Sequence, residues 1–517
     1  MSSKKTHFLF FFLFFLTLFT RFWGLNWSDG FAFHPDENNM VSAVLRLTPK
    51  NFNPKFFAYG QFPLYLTFFT TPQHNAFNIN LTLRFWSAFF SFTSVFVFYL
   101  IGKKILTSRK LAFIFSLLII FTPGLIQLAH FGTTESILIL IFAVNIYLSF
   151  LIFDNPKYKN LFFAAITSGI GIASKISALI FLTPFCLTFL FLLLKNHKKF
   201  SDLIFKFSFL IFVTFIFSLI FSPFNLINYQ EFISSMKYEI GVANGSISVF
   251  YTRQFIGTLP YLFQFEKIFP YTNGIFTFIF SFIGFFFIIK SILKKPAYWQ
   301  TGHKTNHYLL ITLFSSLIYF LYQGQLFTKW TRFMSPVFFI APLLSLFFFK
   351  KIKNKFIQNI FIFLAILPGI YFFISAYFLP DTRVQATNWI NQNISVGSQV
   401  LSEGGNAVDI PIFDSKINVT NFDFYTLDRN QTGDNLTKII NQSKYIFIPS
   451  RRVFKNQSNS LFPLSADYYK KLFSGEIGFY QIKTFSKSNS LFLNSENAEE
   501  TWSVFDNPTI RIFKKNN

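Results

Sequence analysis

The chain has 517 residues, 52% of them hydrophobic, 85 of them Phe, and only 13% of them charged. About a quarter of a soluble domain is charged, so this composition excludes an ordinary soluble protein and points to a polytopic α-helical membrane protein. The formal net charge of +24 does not indicate nucleic acid, because Lys and Arg fall in short clusters between apolar runs, as they do in cytoplasmic loops of membrane proteins. The single cysteine, Cys186, excludes an intramolecular disulfide.

Taken in chain order, Lys4 and Lys5 precede an apolar run from Phe8 to Phe22. That run is longer than a signal-peptide core and has no small-residue cleavage site, so it reads as an uncleaved first transmembrane helix with a cytoplasmic N-terminus. A helix needs about 20 apolar residues to cross the hydrocarbon core. Candidate spans lie at 8–26, 82–101, 111–129, 136–153, 160–174, 176–194, 206–223, 274–290, 307–323, 333–349 and 356–379. Alternating them across the membrane puts every basic cluster on one side. Those clusters are Lys4/Lys5, Lys103/Lys104/Arg109/Lys110, Lys157/Lys159, Lys195/Lys198/Lys199, Lys294/Lys295/Lys304 and Lys350/Lys351/Lys353/Lys355. The agreement predicts about 11 transmembrane helices and a C-terminus outside.

The outer side then receives the 27–81 loop, the turn from His130 to Glu135 and the break at Ser174-Lys175. It also receives the long 224–273 loop, the turn 324–332 and everything after Leu379. Within 27–81, the spacing from Glu37 to Leu47 and the apolar run from Phe62 to Phe69 predict two short interfacial helices. The membrane module is therefore expected to span 1–379. From about 380 the apolar runs shorten and Asn, Ser, Asp and Gly rise. Helices at 382–393 and 466–473 and strands at 399–402, 444–448, 478–485 and 509–513 predict an extracytoplasmic α/β domain over 380–517.

Several outer residues have the chemistry of a site. Asp36 and Glu37 stand in Phe33-His34-Pro35-Asp36-Glu37, just past the first helix. A carboxylate beside a membrane is costly unless it is hydrated, paired or metal-bound. The pair reads either as a solvated loop or as a catalytic couple. In the second reading one carboxylate takes a proton from an acceptor hydroxyl, and the other orients it or holds a divalent cation. Glu135, with His130, reads as a helix-start acid or as a metal or supporting carboxylate, and His34 is a further candidate beside the pair. Lys175 interrupts Gly171-Ile-Ala-Ser-Lys175-Ile-Ser, and Arg332 stands in Lys329-Trp-Thr-Arg332-Phe-Met-Ser-Pro336. Outer cations there suit a lipid phosphate, Arg332 through its planar fork and Arg84 in the same way. The alternative for Lys175 is a lysine that snorkels. Arg253, Glu231, Glu239, Glu266 and Lys267 share the long outer loop without a pattern that ranks them.

These stretches resemble glycosyltransferase family 39, membrane enzymes of the GT-C superfamily that include protein O-mannosyltransferases and the lipid A aminoarabinose transferase. The resemblance rests on the Phe33–Glu37 motif, Tyr59-Gly-Gln-Phe-Pro63-Leu-Tyr65, Arg84-Phe-Trp-Ser87 and the His130…Glu135 turn. It extends to Lys175, Ser222-Pro223-Phe224, Arg332-Phe-Met-Ser-Pro336, Trp389-Ile, Tyr445-Ile-Phe-Ile and Phe505-Asp-Asn-Pro508. It implies a sugar donor on polyprenyl phosphate, inverting transfer on the outer face of the plasma membrane, and Asp36 as the base. It also implies basic residues near the donor phosphate, at Lys175 and Arg332. Phe333 departs from the family, where tyrosine usually follows the arginine. The expected partners are therefore a lipid-linked sugar and membrane lipid, with a possible divalent cation and no nucleic acid. The alternative is a transporter or flippase of a lipid-linked sugar or another solute; such proteins more often carry acids at the bilayer midplane, and no such acid stands in the predicted spans.

Overall fold

The computed structural model describes residues 3–195, 200–294, 304–404, 409–412, 417–457 and 460–516, with the side chains of 3–8 and 292–294 excluded. The predicted basic side chains Lys4, Lys5, Lys198, Lys199, Lys294 and Lys295 lie outside what is described. Among the described residues, five helices are long and apolar enough to cross a membrane, or up to eight if each bent pair is one span. The chain is thus a multi-pass membrane protein. Helices stand at all the predicted positions, although some are shorter or less apolar than a full span.

Two expected spans, 111–129 and 333–349, are broken, and a third, 274–290, is one helix preceded by a sharp bend. Arg109–Ile120 and Pro123–His130 meet at 56°, Leu262–Thr272 and Ile275–Ser291 at 120°, and Thr331–Val337 and Ile340–Phe349 at 49°. Proline explains the first break. Pro123 has no N–H to donate back into the preceding turn, which leaves the last carbonyls of Arg109–Ile120 without intrahelical partners. Arg21 of the first helix, fully buried, meets them. It donates to the carbonyls of Ile119 (3.2 Å) and Ile120 (3.0 Å) and to Ser91 Oγ (2.9 Å). The break and the buried arginine therefore satisfy each other. Outward, Phe205, Phe212, Phe215 and Phe286 are exposed on helices apolar on every side, as expected of surfaces that face lipid tails.

The two ends of the bundle differ. At one end Asp154 closes the Glu135–Asp154 helix and gathers Lys104 (2.9 Å), Lys304 (3.0 Å) and the Tyr308 hydroxyl (2.6 Å). A 20-residue helix spans about 30 Å, and Glu135 stands at its opposite end. The short helices Pro35–Leu45 and Gln61–Thr70, close to the two predicted, cap that opposite end. Met40, Val44, Leu64 and Phe68 bury against Ile79 and Leu83 of the long Ala76–Leu106 helix.

The C-terminal part holds a five-stranded sheet in the order β2-β1-β3-β5-β4, with β1 Gln399–Glu403, β2 Asn418–Phe422, β3 Tyr445–Ile448, β4 Phe479–Phe485 and β5 Ile510–Lys515. β1 pairs parallel with β2 and β3, and β5 pairs antiparallel with β3 and β4. Every residue of β3 is buried, as a strand covered on both faces must be. Helices Thr382–Asn393 and Pro463–Ser474 cover the sheet.

A division at residue 379 does not describe the packing fully. Ala498, Trp502, Val504 and Phe505 return from the sheet into the core of the helical bundle. Trp502 packs on Phe372 at 4.8 Å between ring centres, and the Gln127 amide donates to the Trp502 carbonyl (3.1 Å) and to Asp506 Oδ2 (3.1 Å). A large apolar ring in a polar C-terminal stretch buries wherever apolar surface is offered. Here the bundle offers it.

Candidate functional site

The helix Pro35–Leu45 sets the geometry. His34 caps it, its Nδ1 accepting the Asp36 N–H (3.1 Å), and Pro35 pre-sets the first turn. That cap requires a neutral imidazole nitrogen. Burial first, and then the surrounding Arg332, Arg84, Arg452 and Arg383, hold the His34 pKa well below its ordinary value. Its ring is enclosed between Phe131 and Phe505, each centred 4.7 Å away. His34 is therefore the start of a helix in its environment, with one nitrogen already used.

Asp36 and Glu37 are neighbours in sequence, but successive residues of a helix point about 100° apart. Glu37 is fully enclosed. It takes a two-point contact from Arg84, Nε to Oε1 (2.8 Å) and Nη2 to Oε2 (2.7 Å), and its Oε1 also accepts the Gly132 N–H (2.7 Å). The remaining donors of Arg84 reach the Leu25 carbonyl (3.0 Å), Ser28 Oγ (2.9 Å) and the Phe31 carbonyl (3.4 Å), and its guanidinium lies over Trp27. No donor is left on Arg84 for a phosphate, and Glu37 has no open face for an acceptor. The pair ties the loop after the first helix to the Pro35–Leu45 and Ala76–Leu106 helices, which corrects the expectation of a catalytic Glu37 and a phosphate-binding Arg84.

Asp36 points the other way and pairs with Arg332, and the two side chains are 13% and 15% exposed. Arg332 stands in the Thr331–Val337 turn, which contains Pro336, and its guanidinium lies over the rings of Trp330 and Phe333. Its Nη1 is spent on Asp36, whereas its Nε is buried without a hydrogen-bond partner among the described residues. Lys175 follows the end of the Tyr158–Ser174 helix. Its ammonium sits over the opposite neighbours of the same aromatic wall, Phe333 at 5.1 Å and Tyr59 at 5.2 Å. It lies 3.5 Å from Glu135 Oε1, and Glu135 Oε2 is buried without a hydrogen-bond partner among the described residues. Phe333 thus lies beside both cations, and the four residues Asp36, Arg332, Lys175 and Glu135 meet around it.

Glycine allows that meeting. The Gly60 N–H donates to the Ser174 carbonyl at 2.9 Å, and a Cβ on Gly60 would fall 1.9 Å from the Ala173 oxygen. Only a residue without a side chain lets the loop close on that helix end, and the closure sets Tyr59 against Lys175.

A divalent cation finds a poor donor set in these residues. Among the described residues no group of three or more His, Cys, Asp or Glu could hold a metal ion. Both His130 ring nitrogens face carbonyl oxygens, Ile126 and Trp23, at 2.8 Å, and its ring stacks on Tyr377. That removes His130 as a ligand. Asp36 and Glu135 each face a cation of the chain itself, so a metal ion would have to displace Arg332 or Lys175.

Residues 52–239 match the family of dolichyl-phosphate-mannose-protein mannosyltransferases. The match includes Arg84, Glu135 and Lys175 but neither Asp36 nor Arg332. No curated protein matches the chain by sequence. Among solved structures, the oligosaccharyltransferase AglB from Archaeoglobus fulgidus, in complex with an inhibitory peptide and a dolichol-phosphate, aligns with a TM-score of 0.55 at 13% identity. It covers 95% of this chain and 75% of its own. The same enzyme with zinc and sulfate gives 0.50 at 14% identity, covering 89% and 71%. ArnT from Cupriavidus metallidurans bound to undecaprenyl phosphate gives 0.46 at 11% identity, covering 99% and 98%.

The fold is similar to that of the oligosaccharyltransferase AglB.

The sequence reasoning overlooked the contribution of the C-terminal domain to the site. Glu499 and Glu500 lie beside Arg332 and Arg452: Glu499 Oε2 accepts the Thr331 N–H (2.9 Å), and Glu500 pairs with Arg452 (2.6 Å). The only visible signal was an acidic pair three residues ahead of Trp502, and nothing local tells which distant turn it meets. Trp330, which backs Arg332, stood within a quoted motif but carried no assigned role.

Proposed function

We propose that this chain is a membrane glycosyltransferase that moves one hexosyl or pentosyl unit from a polyprenyl-phosphate donor to a hydroxyl acceptor, with inversion, on the outer face of the plasma membrane. The observation that carries this reading is the largely enclosed pairing of Asp36 with Arg332, whose buried Nε has no hydrogen-bond partner among the described residues. An unsatisfied guanidinium N–H is costly to bury. A phosphate oxygen would satisfy it by a charge-assisted bond.

The chemistry follows from the charges. The Asp36 carboxylate, paired with Arg332, is the group that accepts the acceptor hydroxyl proton. The acceptor oxygen then bonds to the anomeric carbon from the face opposite the phosphate. The bond from that carbon to the phosphate oxygen breaks, and its electron pair leaves on the polyprenyl phosphate. Arg332 and Lys175 oppose the charge that develops there, in a setting where aromatic rings displace water. Glu135 holds Lys175 in place through Oε1. The polyprenyl and dolichyl phosphates seen with the structural neighbours support a lipid-linked donor, and the family matched by residues 52–239 supports a glycosyl phosphate. No step needs a metal ion.

Replacing Asp36 with Asn preserves size and removes the base. Asp36→Asn in purified, folded protein is expected to cut transfer from a labelled lipid-linked sugar by about 10²- to 10⁴-fold while donor binding persists. Undiminished turnover would remove Asp36 from the role of base. Movement of the labelled lipid across a liposome membrane with no glycosylated product would replace the transferase reading with a flippase.

A further inference from the structure

Glu499 does not face the gap between Asp36 and Lys175, yet its carboxylate is directed at the chain that carries Arg332. It is 1% exposed. Its Oε2 accepts the Thr331 N–H (2.9 Å) and the Thr501 N–H (3.1 Å). Its Oε1 accepts from the Gln254 amide (3.0 Å), and the Gln254 oxygen in turn accepts the Glu500 N–H (3.2 Å). The Glu499 N–H donates to the Lys267 carbonyl (2.9 Å). Glu500 is anchored separately, to Arg452 (2.6 Å) and by the Asn456 amide (3.1 Å). The carboxylate is therefore fixed by the long outer loop on one side and by the C-terminal domain on the other, before it meets residue 331.

We propose that Glu499 is a positioning residue for Arg332, supplied to the membrane module by the C-terminal domain. The inference rests on the reading of Arg332 as a phosphate-binding cation. A bond at the Thr331 nitrogen restrains the backbone immediately ahead of Arg332, and a carboxylate acceptor makes that bond charge-assisted. Trp330, stacked beneath the guanidinium, restrains the other flank. A group that must meet a phosphate within a fraction of an ångström needs this second layer of support, because small misplacements cost large factors in binding and rate. Glu499→Gln keeps the size and one acceptor, but turns either the Thr331 or the Gln254 donor against an NH₂ group.

The test uses the full chain in lipid nanodiscs, with undecaprenyl phosphate as the probe. Affinity is read from thermal stabilisation and tryptophan fluorescence. Glu499→Gln is expected to weaken binding about tenfold to a hundredfold, the loss of one hydrogen bond to a charged group. Arg332→Ala is expected to lose at least as much. In the Arg332→Ala background, adding Glu499→Gln should cost nothing further, because both act through one guanidinium. Wild-type affinity in Glu499→Gln, or the same loss in both backgrounds, overturns the positioning role alone. Absence of binding by the wild type overturns the donor reading and this inference together. Should Glu499→Gln fail to fold, Gln254→Leu, which releases Glu499 Oε1 and the Glu500 N–H and so loosens the carboxylate that holds Thr331, is read in both backgrounds with the same two outcomes.

Discussion

Asp36 and Glu37 show how far one residue step carries on a helix. The Glu37 carboxylate is locked by the two-point contact with Arg84 and by the Gly132 N–H, and no part of either side chain meets solvent. Breaking one side of such an enclosed pair leaves a buried charge and costs about 3–5 kcal/mol. Glu37→Gln is therefore expected to lower the thermal midpoint of the purified protein and its yield. Asp36→Asn, one position away, should leave the midpoint close to wild type and remove turnover. Calorimetry and transfer rates on the two variants separate the roles, and equal midpoints would show that Glu37 is not an anchor. The sequence placed the acidic pair at the correct end of the bundle but could not divide the labour within it. The division depends on which side chain meets Arg84, 47 residues away, and no local pattern records that.

At the scale of elements, most of what was legible came from periodicity and apolar length. The two interfacial helices, the helices at 382–393 and 463–474 and four of the five strands lie where the pattern placed them. β2 escaped because Asn418-Val-Thr-Asn-Phe422 is a mostly exposed edge strand with little apolar alternation. The broken spans escaped because hydropathy averages over a bend: 111–129 reads as one run although Pro123 divides it. Contacts between elements are where the site is assembled, and Gly60 is the clearest of them. Gly60→Ala must push the loop away from Ala173, since its Cβ would stand 1.9 Å from that oxygen. Forcing extra volume into packed structure costs typically about 1–3 kcal/mol. The variant is expected to melt earlier and to bind the lipid phosphate more weakly, because Tyr59 would leave Lys175. Unchanged melting and unchanged affinity would refute the importance of that closure.

For the molecule as a whole, charge alternation along the sequence and the division of charged contacts between the two bundle ends agree. Lys104 and Lys304 converge on Asp154 at one end, while Asp36, Glu135, Lys175 and Arg332 converge at the other. We infer that the second end is outside the cytoplasm. A phosphatase reporter inserted after residue 380, with the C-terminal domain retained, should be active only beyond the membrane. Activity of a cytoplasm-only reporter at that position would invert the molecule and move the site to the inner face. The whole-molecule relation that the sequence hid is the return of residues 498–505 into the bundle. Composition shifts sharply near 380 and suggests two separate bodies, but Trp502 and Phe505 belong to the membrane module's core.

That return has a consequence for biosynthesis. The last apolar helix, ending at Tyr377, leaves the ribosome more than a hundred residues before Glu499 and Trp502 are made. During that interval the membrane-inserted intermediate has an open socket around Phe372 and an unrestrained turn at Thr331. Its apolar core closes only once residues 498–505 have been translated and have packed against Phe372. Products of premature termination between 380 and 498 would carry the apolar helices without the segment that fills the centre of the bundle. Translation order thus leaves the bundle core unfinished until residues 498–505 arrive.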